Sequence, residues 1–273
     1  MSDATDLLPG FAEELREVRG VRVRVFHRGS GPTLLLVHGF GGAAWNYTEL
    51  APRLEGRRLV VPDLPGHGGS DPLPAPSMAG FADVLAGILD EPAGVFGHSM
   101  GGVVALRLAE RHPELVRGLV LAAPAGISSS SRLATVSLGL VGLLRPGRIA
   151  GFRVDRIGRS SRLKRLVFGR FEVANPEALS ERAVHGFLRG SRLHTDVLGA
   201  GLALARDDPR QSLDRVRAPA LVLFGARDRQ VPLADGFEYA RRLRAPLRVI
   251  ADCGHLLIGE RPDVCARAAL ERL

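Results

Sequence analysis

Val95-Phe96-Gly97-His98-Ser99-Met100-Gly101-Gly102 is the stretch that decides the fold. An apolar run, Ala93 to Phe96, enters a glycine–x–serine–x–glycine turn and leaves it into a helical stretch, Val103 to Arg111. A strand that runs straight into a helix must turn within a few residues. Glycines two positions either side of the serine let the two backbones approach that closely. The serine then sits in a strained conformation with its hydroxyl pointing out of the sheet. The helix behind it aims its first amides and the positive end of its dipole at that hydroxyl. The rival reading is a small-residue turn before a helix, and the flanking strand and helix weigh against it.

Outward from this turn, apolar strands alternate with helical patterns. Leu15 to Val18 and Val21 to His27 read as two strands joined by Arg19-Gly20. Val21, Val23 and Val25 alternate with Arg22 and Arg24, which predicts a half-buried strand with the arginines outward. Thr33-Leu34-Leu35-Leu36-Val37, Leu59-Val60-Val61, Leu119-Val120-Leu121 and Ala220-Leu221-Val222-Leu223-Phe224 are continuous apolar runs, as parallel strands covered on both faces should be. Leu247 to Ala251 is the last strand. A short helix is expected over Trp45 to Leu54. Others are expected after Ser77, from Leu233 to Leu243, and from about Arg261 to Leu273. Between Gly126 and about Asp208 strands vanish and short segments rich in arginine and leucine take over. The pattern predicts an α/β protein with a mostly parallel, doubly wound sheet, helices on both faces and a helical insertion over one end. The expected division is a core from residues 1–125, a helical lid from 126–208, and the rest of the core from 209–273.

The net charge of +8 resembles a nucleic-acid signal until it is mapped. From Arg145 to Arg170 lie nine basic residues, Arg145, Arg148, Arg153, Arg156, Arg159, Arg162, Lys164, Arg165 and Arg170, against Asp155 alone, and this accounts for the whole excess. The patch has no interleaved aromatics and no known module, so no nucleic acid is expected as a partner. It predicts either a solvated arginine-rich face or attraction to an anionic membrane surface or anionic substrate. The apolar stretch Leu133 to Leu144 beside it is too short to span a bilayer. The start, Met1-Ser2-Asp3-Ala4-Thr5-Asp6, has neither a basic nor an apolar leader segment, and the expectation is a soluble cytoplasmic protein. Cys253 and Cys265 make neither a disulfide framework nor a metal-ligand spacing.

Parallel α/β sheets place their sites at the carboxyl ends of strands. Four polar loops follow strands there and carry His38, Ser99, Asp228 and His255. The last three run serine, acid, histidine. With His38-Gly39-Phe40-Gly41-Gly42, Asp63-Leu64-Pro65-Gly66-His67-Gly68, Gly225-Ala226-Arg227-Asp228, Pro232 and Gly254-His255, the chain resembles the α/β-hydrolase superfamily from about Val21 onward. It is most similar to the lidded branch of small esterases and carbon–carbon bond hydrolases. The resemblance implies that Ser99 is the nucleophile, His255 its base and Asp228 the acid that orients the base. It assigns the oxyanion hole to the backbone N–H groups of Phe40 and Met100. No metal and no cofactor is implied.

Asp252 is close to His255 in sequence but falls at a strand end, out of reach of the imidazole's outer nitrogen. His98 is expected to pack in the turn, and His38 and His67 to support loops. Trp45 reads as core or pocket wall, and Cys253 as unreactive. Ser99 excludes the aspartate nucleophile of dehalogenase- and epoxide-hydrolase-like members. The carbon–carbon hydrolases usually carry asparagine before the nucleophile and tryptophan after the late histidine, where this chain has His98 and Leu256. These departures favour hydrolysis of a small-molecule carboxylic ester through an acyl-serine. Carbon–carbon cleavage of a vinylogous diketone and a non-catalytic ligand-binding role are the alternatives.

Overall fold

The computed structural model describes residues 7–128, 153–169 and 173–273. The stretch Leu133 to Leu144 and the basic residues Arg145, Arg148 and Arg170 lie outside the described residues. Two strands open the fold, β1 (Ala12–Val18) and β2 (Val21–Arg28), an antiparallel hairpin. Its two loop residues, Arg19 and Gly20, have φ of 55° and 76°. That left-handed pair is what a two-residue hairpin needs to follow the strand twist.

The remaining strands are β3 (Thr33–Val37), β4 (Arg58–Pro62), β5 (Ala93–His98), β6 (Val116–Ala122), β7 (Ala220–Gly225) and β8 (Leu247–Ile250). The sheet has eight strands in the order β1-β2-β4-β3-β5-β6-β7-β8, and from β4 onward every pairing is parallel. Every residue of β3, β5 and β7 is buried, so the centre of the sheet is covered on both faces. The expected α/β architecture is therefore present, with the apolar runs as its central strands.

Helix α1 (Met78–Ile88) starts at Ser77, whose Oγ accepts from the Gly80 N–H at 2.9 Å. It buries Phe81, Val84, Leu85 and Ile88. Helix α2 (Met100–Arg111) begins directly after Ser99 and packs on α1. Between β6 and β7 come α3 (Val154–Arg159), α4 (Ser161–Phe168), α5 (Glu181–Arg192) and α6 (Val197–Arg206), and no strand occurs there among the described residues. The chain closes with α7 (Leu233–Leu243), α8 (Leu257–Glu260) and α9 (Pro262–Arg272). Among the described residues no helix is long and apolar enough to cross a membrane.

Two expectations are corrected. Trp45 to Leu54 is not one helix but two 3₁₀ turns, Ala44–Tyr47 and Ala51–Arg53. Pro52 has no N–H with which to continue a helix through the second turn. The first turn is capped locally by Asn46 Oδ1 accepting from Ala43 N–H and tied to the sheet by Tyr47 Oη–H donating to the Val37 carbonyl. Arg24 is the second correction. It alternates with valines as an exposed residue would, yet it is buried.

Candidate active site

The elbow follows from its glycines. Ser99 has φ 54° and ψ −120°, a conformation that strains a residue bearing a Cβ. A Cβ on Gly101 would fall onto the Val37 and His38 carbonyls, so helix α2 lies directly against the end of β3. The Ser99 N–H donates to the Ala122 carbonyl at 2.9 Å, and the Ser99 carbonyl accepts from Gly102 and Ala125. These bonds hold the turn without using the hydroxyl.

His255 and Asp228 come from the loops after β8 and β7, which are neighbours. His255 Nδ1 lies 2.8 Å from Asp228 Oδ2, and its Nε2 lies 3.0 Å from Ser99 Oγ. A carboxylate only accepts, so the ring proton sits on Nδ1. Nε2 is then the lone-pair nitrogen and accepts from the Ser99 hydroxyl. The Asp228 side chain is closed from solvent, and its Oδ1 accepts from Gln230 N–H at 2.8 Å and Val231 N–H at 2.9 Å. One oxygen is thus spent on orienting the carboxylate and the other faces the imidazole. Asp252 points elsewhere, in an exposed pair with Arg227 at 2.7 Å.

His98 ties the elbow after β5 to the loop that carries His255. Its Nε2 meets the His255 carbonyl at 2.9 Å, and since a carbonyl cannot donate, the proton is on Nε2. Burial and the neighbouring His255 push its pKa down to about 3, so the ring stays neutral. This packing role is the one expected. The Cys253 thiol is buried, and burial and Glu260 push its pKa up, away from reactivity.

The loop after β3 lies against Ser99, since a Cβ on Gly39 would be 3.1 Å from Ser99 Cβ. Met100, in the first turn of α2, is fully buried beside it. His38 supports this loop, donating from Nδ1 to the Gly39 carbonyl at 2.8 Å and accepting at Nε2 from Leu64 N–H at 2.9 Å. His67 donates to the Pro65 carbonyl and stacks on His194 with ring centres 3.7 Å apart. Burial lowers the pKa of His38; for His67 burial, His194 and His38 lower it further.

Three buried supports of these loops escaped the sequence reading. Asp63, fully buried, accepts a hydrogen bond from Arg24 Nε at 2.7 Å and is ion-paired with its Nη2 at 2.6 Å. It also accepts from Gly69 N–H at 2.8 Å and from Ala44 N–H at 2.7 Å, which pins the far end of the loop that carries Gly39 and Phe40. Arg24 in turn spreads over the Trp45 ring, 4.9 Å from its centre, and this accounts for the burial of both. Glu260 is the third, a buried carboxylate bound to three backbone amides. Its only signal in the sequence is a lone acid closing the apolar run Leu256-Leu257-Ile258-Gly259.

A parallel sheet with a serine–histidine–aspartate line at its carboxyl edge is the arrangement of a hydrolase. The chain belongs to the alpha/beta hydrolase fold family, whose model matches residues 32–262. It is 36% identical over 242 residues to a pimeloyl-[acyl-carrier protein] methyl ester esterase of Aromatoleum aromaticum, spanning 86% of this chain and 95% of that protein. It is 32% identical over 254 residues to a 2-hydroxymuconate semialdehyde hydrolase of a Pseudomonas species, spanning 86% and 84%. A thermophilic esterase from Thermogutta terrifontis superposes with a TM-score of 0.73 at 25% identity, over 96% of this chain and 97% of that one.

Proposed function

We propose that this protein is a serine carboxylic-ester hydrolase, with Ser99 as nucleophile, His255 as general base and Asp228 as the acid that orients it. The observation that carries this reading is the unbroken hydrogen-bond line from Asp228 through His255 to Ser99 Oγ. His255 Nε2 takes the hydroxyl proton as Oγ attacks the ester carbonyl. Asp228 holds the tautomer and stabilises the imidazolium that forms. The imidazolium then protonates the departing alkoxide, leaving an acyl-serine and a free alcohol. Water, deprotonated by the same nitrogen, releases the acid and restores Ser99. The oxyanion is held by the N–H groups of Phe40 and Met100, each worth about 3–4 kcal/mol in the transition state. The segment 126–208 serves as the lid that walls the acyl pocket, on cores formed by 1–125 and 209–273.

For substrate we infer a methyl ester on an acyl chain presented by an anionic carrier, in a cytoplasmic setting. Relatives act on a methyl ester of a carrier-bound acyl group. On α3 and α4 this chain exposes Arg156, Arg159, Arg162 and Arg165, and Arg153 just before them. Carbon–carbon cleavage is the second reading, supported by the 2-hydroxymuconate semialdehyde hydrolase relative and opposed by His98 and Leu256.

The test is one panel: short p-nitrophenyl esters, a free acyl methyl ester, the same ester on an acyl carrier protein, and a ring-cleavage dienone. Esters should turn over, and Ser99→Ala should lose about 10⁵-fold or more while folding normally. Ester hydrolysis above a few per cent in Ser99→Ala removes the reading. A dienone faster than every ester selects the second.

A further inference from the structure

Glu260 is 9% exposed and ends α8, five residues after His255. Its Oε1 accepts at 2.9 Å from the N–H of Gly254, the residue before His255. Its Oε2 accepts from Ala174 N–H at 2.9 Å and Asn175 N–H at 3.3 Å, both in the connection between β6 and β7. Burial raises its pKa above the usual carboxylate value, while the three amides pull it back. A carboxylate is a costly choice for a buried position whose task is packing alone. What it offers is two acceptor oxygens and no donor, so amides from two separate segments can share it. A glutamine of the same size has one such oxygen.

The loop around His255 is held from the core side by other groups. His98 binds the His255 carbonyl, and the Arg227 N–H binds the Cys253 carbonyl at 2.9 Å. Glu260 bonds both Gly254 and the connection. It borders a cleft of about 470 Å³ lined in part by Asn175, Arg227, Asp252 and Arg261, so this tie runs along an open seam and not through packed core.

We propose that Glu260 is a positioning residue which fastens the β6–β7 connection to the loop carrying His255, so that seating of that connection and alignment of the base are one event; this rests on reading His255 as the general base. The connection then does more than wall a pocket. When Ala174 and Asn175 leave Oε2, the carboxylate that holds Gly254 through Oε1 is no longer fixed from that side, and His255 loses its set distance to Ser99.

The test is the rate at which a small fluorophosphonate labels Ser99, which depends on the base and little on substrate binding. Glu260→Gln keeps the volume and denies one segment its acceptor. It should slow labelling about 10- to 100-fold, as expected for a base displaced by an ångström or less. The kcat for a small ester should fall by the same factor while KM stays within about twofold. Ala174→Pro deletes one donor on the far side of the carboxylate and leaves Glu260 and Gly254 intact. It should also slow labelling, by about tenfold. If Ala174→Pro melts without cooperativity, Asn175→Pro takes its place and is scored the same way. A normal rate in the proline variant beside a slow Glu260→Gln would reduce Glu260 to a support of its own loop and overturn the coupling. Normal rates in both overturn it entirely. Ser99→Ala run alongside separates the two levels: residual turnover there sinks the catalytic reading, whereas a dead Ser99→Ala beside a normal Glu260→Gln sinks this inference alone.

Discussion

The loops at the carboxyl edge of the sheet and the helices α3 and α4 are both rich in chargeable groups, and the fold treats them oppositely. At the edge, His38, His98, His255, Asp63 and Glu260 are buried, and each has hydrogen-bond partners that fix its orientation. On α3 and α4, Arg156, Arg159, Arg162 and Arg165 stand in solvent, as does Arg153 just before α3. Two of them pair with exposed acids, Arg159 with Glu181 at 3.0 Å and Arg165 with Glu177. Buried polar groups must be matched one to one, so each fixes geometry. Exposed pairs in high dielectric are worth little, so they set a field and not a shape. On the proposed reading the edge carries the chemistry and the helices carry an electrostatic preference.

Asp228→Asn should separate the regions most sharply. It preserves the side-chain shape and loses control of the His255 tautomer, and turnover should fall about 10⁴-fold. Asp252→Asn, three residues before His255 in sequence but paired with Arg227 in solvent, should stay near wild type. A mild loss in Asp228→Asn with a large one in Asp252→Asn would reverse the assignment of the acid. Steady-state kinetics on a p-nitrophenyl ester decides it.

Arg24→Met should be the largest change in stability. It strands the Asp63 carboxylate, whose side chain is fully closed from solvent, without its cation. Breaking one partner of such a pair costs about 3–5 kcal/mol. Urea melts should show that loss, and ester turnover should fall with it as the loop before Ala44 loosens. By contrast, Arg159→Gln breaks an exposed pair and should shift stability by less than about 1 kcal/mol.

The buried imidazoles predict a pH dependence. His98 is held down to about 3, chiefly by burial, and His38 and His67 are lowered by burial as well. Unfolded, these rings take a proton near pH 6.5. A depressed folded value means that the stability they contribute is complete above that pH and is lost as the pH falls through 6 towards 3. The melting temperature should drop steadily from pH 6.5 to 4. In His98→Asn the slope of unfolding free energy over that span should be shallower by about 1.4 kcal/mol per pH unit. An unchanged slope would mean that His98 is protonated in the folded protein.

The smallest effect on chemistry is expected from replacing Arg156, Arg159 and Arg162 together by glutamine. Hydrolysis of a small neutral ester should stay within about twofold, while preference for a carrier-bound ester and its sensitivity to salt should weaken. Sedimentation with anionic but not zwitterionic vesicles, lost in the triple variant, would point instead to a membrane surface as the partner. No carrier preference and no vesicle binding would leave these helices as solvated surface.

The elbow at Ser99, the apolar central strands and the order serine, acid, histidine were legible in the sequence because each is a local pattern. Glycine spacing dictates a turn, continuous apolar runs dictate doubly covered strands, and an α/β sheet collects the loops after its strands at one edge. What only the tertiary structure decided are the partners made across long separations. Alternation marks Arg24 as exposed, and its burial follows from Asp63, 39 residues away, and from the face of Trp45. The Glu260 carboxylate reads as an ordinary surface acid until Ala174 and Asn175, more than 80 residues earlier, present their amides to it. Periodicity reports which side of an element meets apolar atoms. It carries no record of which distant donor meets a buried acceptor, because that match is made only when the segments are brought together.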